Sequence, residues 1–216
     1  MVRQGFFFPN TPTAIFIYTL TSTNSRMTEG VIEQIRVRVE GLRPLLMHSP
    51  AAMEVKPERK GVQIDPRKEA EAGLYRDENG RICVPAICVL AAMREAAKEY
   101  KVPGRGKKSF RDYVFSGLRI TPEMIPLQVP NGQDPENAWK VDLRPVVVQK
   151  SRIMRARPKF DEWALEFEVE ILDPIIRPAN VKEFLEAAGK YIGLCDFRPL
   201  FGLFKVTKFE VAKSAR

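Results

Sequence analysis

From residue 32 the chain alternates: in IEQIRVRVEGL, Ile35, Val37 and Val39 fall on one face, and Gln34, Arg36 and Arg38 on the other. A period of two predicts a half-buried strand, which Gly41 and Pro44 end. WALEFEVEIL repeats the pattern, with Trp163, Leu165, Phe167, Val169 and Ile171 on one face and Glu166, Glu168 and Glu170 on the other. Before it, VDLRPVVVQKSRIMRARP reads as a strand with a proline near its start. The link RARPKFDE reads as a hairpin-type connection, which makes these two strands antiparallel neighbours. RICVP predicts a short strand after the turn signal DENGR at 77–81, and FKVTKFEVA a last strand.

Two segments change to a helical period. Pro85 opens PAICVLAAMREAAKEYK, where Ile87, Leu90, Ala91 and Ala97 recur at helical spacing and small residues suit close packing on a sheet. RPANVKEFLEAAGKYIG carries the stripe Val181, Phe184, Leu185, Ala188 and Ile192, with Asn180 and Glu183 spaced as a capping box. Residues 44–84, with Pro44, Pro50, Pro57 and Pro66, and residues 101–140, with VPNGQDP, lack periodicity and read as insertions. Without them the order is βαββαβ. It predicts an α+β fold of the ferredoxin-like, RNA-recognition type: a four-stranded antiparallel sheet with both helices on one face. Residues 31–216 are expected to form that single domain.

Residues 1–30 are expected to be an extension, an arm or a disordered tail. Its apolar stretch Ala14–Leu20 is short, Pro9 and Pro12 interrupt the approach, and no small-residue cleavage site follows, which argues against a signal peptide. AIFIYTL could pair as an edge strand, and Met27 is a candidate start.

Composition adds the partner class. The chain of 216 residues is 44% hydrophobic and 29% charged, values of an ordinary globular protein. No run of 18 apolar residues predicts a membrane-spanning helix. Three cysteines without a CxxC pair fit a reducing, cytoplasmic setting. The net charge of +8 points first to nucleic acid, then to anionic membrane surfaces or acidic proteins. The excess is segregated. Residues 101–119 hold six cations and one anion, 144–159 hold six cations and no anion, and 161–173 hold six anions and no cation.

GRGKKSF has the chemistry of a phosphate-binding loop. Glycines admit the backbone to an anion, Lys107 and Lys108 supply point charges, and Arg105 and Arg111 can fork onto phosphate oxygens. Phe110 and Tyr113 either stack bases or anchor the loop to the core. The P-loop spacing is absent, so nucleotide hydrolysis is not implied. In the predicted hairpin, Lys150 and Arg152 share a face, while Arg155, Arg157 and Lys159 are expected at the turn, where they could follow a nucleic-acid backbone. Catalytic groups are few. The one histidine, His48, is either a structural, hydrogen-bonded residue or a general acid–base in metal-independent RNA cleavage. No spacing of Cys83, Cys88 and Cys195 suggests a metal site, and Glu54 and Asp65 read as surface carboxylates. No cofactor or metal is expected.

The first strand ending in GLRPLLMHSP, the insertion after it, and the strand–proline–helix unit ICVPAICVLAAMREA resemble the RAMP superfamily of CRISPR-associated proteins. The guide-RNA-binding backbone subunits are the nearest in pattern. The resemblance covers roughly residues 30–211. It implies a modified RNA-recognition fold with a thumb-like insertion that binds guide RNA and packs side by side into a filament. It matches Arg94 to the helix arginine of that family. It also implies a glycine-rich turn before the last strand, where this chain has YIGLCDFRPLFGLFKV, with Gly193 and Gly202 only. In that stretch Gly193 is expected to end the helix in the left-handed conformation. Leu194, Phe197 and Phe201 are expected to tether the turn to the core, and Arg198 to face outward onto a phosphate. The leading expectation is a non-catalytic protein that binds single strands, RNA before DNA, and assembles along them, in a CRISPR-type effector or as a solitary or viral relative. Two alternatives stay open: an endoribonuclease using His48, and a protein-interaction module that mimics a CRISPR subunit.

Overall fold

The structure, a computed structural model, describes residues 33–56, 64–148 and 150–212. The expected N-terminal arm, with AIFIYTL and Met27, lies outside the described residues. Strands β1 (Glu33–Gly41) and β2 (Leu45–Leu46) come first, followed by helix α1 (Pro66–Ala72), β3 (Cys83–Pro85) and α2 (Ala86–Ala96). Next are α3 (Arg111–Gly117), β4 (Leu118–Thr121), β5 (Met124–Gln128) and α4 (Pro135–Ala138). A long pair, β6 (Trp139–Val148) and β7 (Ser151–Phe160), precedes β8 (Ala164–Ile171), α5 (Pro178–Ala187) and β9 (Phe204–Ala212).

The α+β class is as expected, but the main antiparallel sheet has six strands rather than four. β1 lies between β8 and β9. On the far side of β8, β4 pairs with its C-terminal half and β5 with its start, and β3 pairs with β5. A second antiparallel sheet runs β2–β7–β6.

The register sets Val37 opposite Phe167 and Val39 opposite Leu165. The buried sides of β1 and β8 join Val89, Ala92 and Met93 of α2 and Val181, Phe184 and Leu185 of α5 in one core. Alanines on α2 leave room for this approach. The other face of the sheet is charged and self-compensating. Arg36 meets Glu168 at 3.0 Å, Arg38 meets Glu166 at 3.6 Å, Arg119 meets Glu170 at 2.7 Å and Lys208 meets Glu210 at 3.1 Å.

Four expectations are corrected. The stretch read as one strand before β8 is a hairpin, β6–β7, which turns between Val148 and Ser151 with Lys150 at φ 68°. It belongs to the second sheet and does not pair with β8. The stretch 101–140, read as irregular, supplies α3, β4, β5 and α4, including the strands that do pair with β8. Pro122 and Pro126 cut that alternation into pieces too short to show a period. The insertion at 44–84 likewise holds β2 and α1. Finally, Asn180 is not the helix cap: the helix starts at Pro178, and Asn180 Oδ1 accepts from the Arg177 N–H at 3.1 Å.

Candidate nucleic-acid interface

The link from α5 to β9 forms one wall of the site. α5 ends in a π-helical turn, Ala188–Ile192, in which the Gly193 N–H donates to Ala188 O at 2.8 Å. Gly193 then takes φ 82°, ψ 174°, an extended mirror conformation rather than the expected left-handed helical one. Cys195 and Phe197 also have positive φ, and the Arg198–Pro199 bond is cis. The Leu194 N–H donates to Gly202 O at 2.9 Å and closes the loop. Asp196 N–H to Leu46 O (3.0 Å) and Gly202 N–H to Pro44 O (2.8 Å) tie it to the chain after β1. Backbone passes so close here that a Cβ on Gly202 would lie 2.1 Å from Leu194 O. Leu194 and Phe201 are buried. Phe197, expected as a third tether, is instead 36% exposed, with its ring 6.3 Å from that of Phe201.

Between this loop and α2 lies a cleft of about 600 Å³, lined by Arg94, Tyr191, Cys195, Phe197 and Arg198 among others. Tyr191 is 62% exposed and Arg198 is exposed. Two carboxylates, Glu95 and Asp196, also line it. Both are committed: Glu95 pairs with Lys98, and Asp196 with Arg157. The Lys98 hydrogen bond holds the Glu95 carboxyl below its ordinary range, with Arg111 and Arg94 adding to the effect. Among the described residues, Arg94 and Arg198 form no ion pair with a carboxylate; Arg94 lies 4.9 Å from the centre of the Phe115 ring. The guanidinium groups of Arg144 and Arg157 lie 5.8 and 5.4 Å from the Phe197 ring centre, which brings hairpin cations to the cleft mouth.

The predicted residues divide. Arg105, Lys107 and Lys108 are exposed on the loop before α3, without acidic partners among the described residues. Arg105 donates to the Tyr113 hydroxyl at 2.9 Å, and Lys108 sits 4.9 Å above the Tyr113 ring. Tyr113 is half-buried and already covered by cations. Arg111, at the start of α3, is half-buried with an unpartnered Nε. Phe110 does not face a base: it is 2% exposed and packs 5.4 Å from Phe184. Its anchoring role is the one realised. Lys150 and Arg152 are exposed at the hairpin tip. Arg155, Arg157 and Lys159 are not at the turn, because the turn falls earlier. They lie within β7, paired with Glu69, Asp196 and Asp161. Arg157 is 7% exposed, so its charge is spent inside the fold, although one of its nitrogens, Nη1, has no partner.

His48 follows β2 and is half-buried; its carbonyl accepts from the Tyr75 hydroxyl at 2.9 Å. Its Nδ1 is buried without a partner. Burial lowers its pKa, and the nearby charges of Arg157 and Arg155 lower it further against Asp196 and Glu69. Burial also pushes the Tyr75 hydroxyl up to about 12. Among the described residues no three His, Cys, Asp or Glu side chains converge as metal ligands.

Residue-type reasoning did not select Arg144, Tyr191 or Phe197, and it named Arg94 only through the family resemblance. Tyr191, Phe197 and Arg198 do stand close in sequence, and that interleaving of rings and charge was the available signal. Arg144 had none, because its contact to Phe197 joins β6 of the second sheet to the α5–β9 link, far apart in sequence.

No protein-family model matches the chain. No curated protein matches it either. In fold it is similar to a chain in the cryo-EM structure of the Type III-B Cmr-beta bound to cognate target RNA, with a TM-score of 0.54 and 11% sequence identity. The match covers 85% of this chain and 62% of that one, so this protein spans less than two thirds of its structural neighbour.

Proposed function

We propose that the protein binds single-stranded RNA, without cleaving it, along the cleft between α2 and the 193–203 link. The observation that carries this reading is the distribution of uncompensated charge. On the open sheet face Arg36, Arg38, Arg119 and Lys208 each meet a glutamate, and no RNA-recognition-type aromatic platform is needed there. At the cleft Arg94 and Arg198 are free to meet phosphates, beside the exposed rings of Tyr191 and Phe197. Rings that accept a base face and cations that accept a phosphate are the two parts of a sequence-tolerant single-strand site. Arg105, Lys107 and Lys108 beyond α2, and Lys150 and Arg152 at the hairpin tip, extend the path.

The fold supports RNA over DNA, since the similar chain comes from an assembly bound to target RNA. The strand order β3–β5–β8–β1–β9, with β4 also on β8, supports a ferredoxin-like core enlarged at its edge. With the motif resemblance, this supports a RAMP-type protein of the CRISPR-associated kind, working in the cytoplasm of a prokaryotic or virus-infected cell. Leu143, Val147 and Met154 are exposed on the hairpin and offer an apolar contact for the next copy along a strand.

The test is a fluorescence-anisotropy titration with short single-stranded RNA at several salt concentrations. With about six phosphate contacts, affinity falls by roughly 10³ between low and moderate salt. Absence of binding at low salt, or a flat salt dependence, overturns the proposal. A second reading, a metal-independent endoribonuclease, is favoured by one observation: the unpartnered Nδ1 of a His48 kept neutral beside Arg157. In that case His48→Ala abolishes cleavage and keeps binding; undiminished cleavage excludes it.

A further inference from the structure

We propose that β9 pairs antiparallel with β9 of a second copy of this chain, about a two-fold axis through Phe209, and so joins the two main sheets into one. Among the described residues β9 pairs with β1 alone and ends the main sheet. An unpaired strand edge presents a row of N–H and C=O groups that a further strand satisfies. The other edges suit a partner less well. β2, β3 and β4 have two, three and four residues, and β6 contains Pro145, which has no N–H to give. β9 has nine residues and neither glycine nor proline.

Charge complementarity selects the occupant. On the solvent face β9 completes two rows that cross β8 and β1: Glu168–Arg36–Glu210 and Glu166–Arg38–Lys208. One row thus reaches the edge as an anion and the next as a cation. In an antiparallel pair of identical strands, residues of one hydrogen-bonding parity face each other, so the two-fold axis passes through a residue position. An axis at Lys208 opposes two lysines, and one at Glu210 opposes two glutamates. An axis at Phe209 sets Lys208 against the partner's Glu210, twice. Lys208 and Glu210 meet each other at 3.1 Å along the strand, with side chains 45% and 58% exposed, so both are open to a partner. The opposite face agrees. Phe209 and Val211 stand beside Val37 and Ile35 at the rim of the core, Phe209 half-buried and Val211 45% exposed. The same register lays Phe209 against the partner's Phe209 and Val211 against the partner's Thr207, which covers that rim. The pairing of β9 with β1 slips between Val206 and Lys208, so the three central pairs lie beyond the bulge, in regular strand.

This pairing needs no RNA, so the two proposals fail separately. The full chain is freed of nucleic acid by nuclease and a high-salt wash and returned to low salt. Sedimentation velocity then follows it from about 1 to 100 μM. The expected mass rises from that of one chain to that of two. Lys208→Glu sets like charges across both contacts and raises the dimer dissociation constant about tenfold. Lys208→Glu combined with Glu210→Lys restores the parent value. Phe209→Cys joins two chains by a disulfide on mild oxidation, whereas Lys205→Cys, away from the axis, does not. A monomer throughout, a dimer indifferent to Lys208→Glu, or one that the double substitution does not restore overturns the proposal.

Discussion

Arg155 Nη1 donates to Glu69 Oε1 at 2.8 Å, while the Ala156 N–H donates to Glu69 Oε2 at 3.1 Å. Glu69 is 3% exposed, so α1 carries a buried carboxylate whose compensation comes from β7. Removing one member of a buried pair leaves the other charge stranded. Arg155→Ala therefore lowers the unfolding free energy by about 3 kcal/mol in a urea titration. RNA affinity, measured where the variant is folded, stays unchanged, because this arginine is not available to phosphate.

Arg94→Ala and Arg198→Ala have the opposite profile. Stability stays close to that of the parent, and RNA binding weakens. Each substitution lowers the slope of log affinity against log salt by about 0.7, one phosphate contact on a single strand. Arg36→Ala, on the self-paired sheet face, changes neither the affinity nor the slope.

Gly202→Ala tests the loop. The substitution places a methyl group against the Leu194 carbonyl at a residue with φ 74°. Neither backbone can yield without losing the Leu194–Gly202 and Gly202–Pro44 hydrogen bonds. The expected cost is about 2 kcal/mol or more, read as a lowered midpoint in thermal or urea unfolding.

The lowered pKa of His48 makes a pH signature. Its native pKa lies below the ordinary 6.5, so below pH 6.5 the unfolded chain takes up a proton that the native protein does not. Stability contributed by the neutral ring is full above 6.5 and declines as pH falls toward the native value. His48→Gln removes this term. The stability of the parent relative to the variant, followed from about pH 8 to 5, falls only below pH 6.5. A difference that stays flat over that range rules out the shift.

Part of the fold was legible because it is written locally. The alternation of β1 and β8, the alanine-rich stripe of α2 and the stripe of α5 are properties of neighbouring residues. So is the turn at Asp77, whose side chain accepts from the N–H groups of Asn79 and Arg81. β4 and β5 were not legible, since each is short and prolines break their period. The β6–β7 turn was missed because it carries no glycine; Lys150 takes the positive φ.

The site divides in the same way. The sequence by itself determined that cations outnumber anions, that they cluster, and that GRGKKSF and Arg198 carry the cationic chemistry that phosphates need. It could not say which cations remain available. Arg155, Arg157 and Lys159 belong to the same run as Lys150 and Arg152, yet pairing across the fold neutralises the first three and leaves the others at the tip. Only the tertiary structure also brought Arg94 on α2 to the same cleft as Tyr191, Phe197 and Arg198. The reason is physical: charge type is a property of a residue, whereas compensation depends on what the folded chain brings within a few ångströms of it.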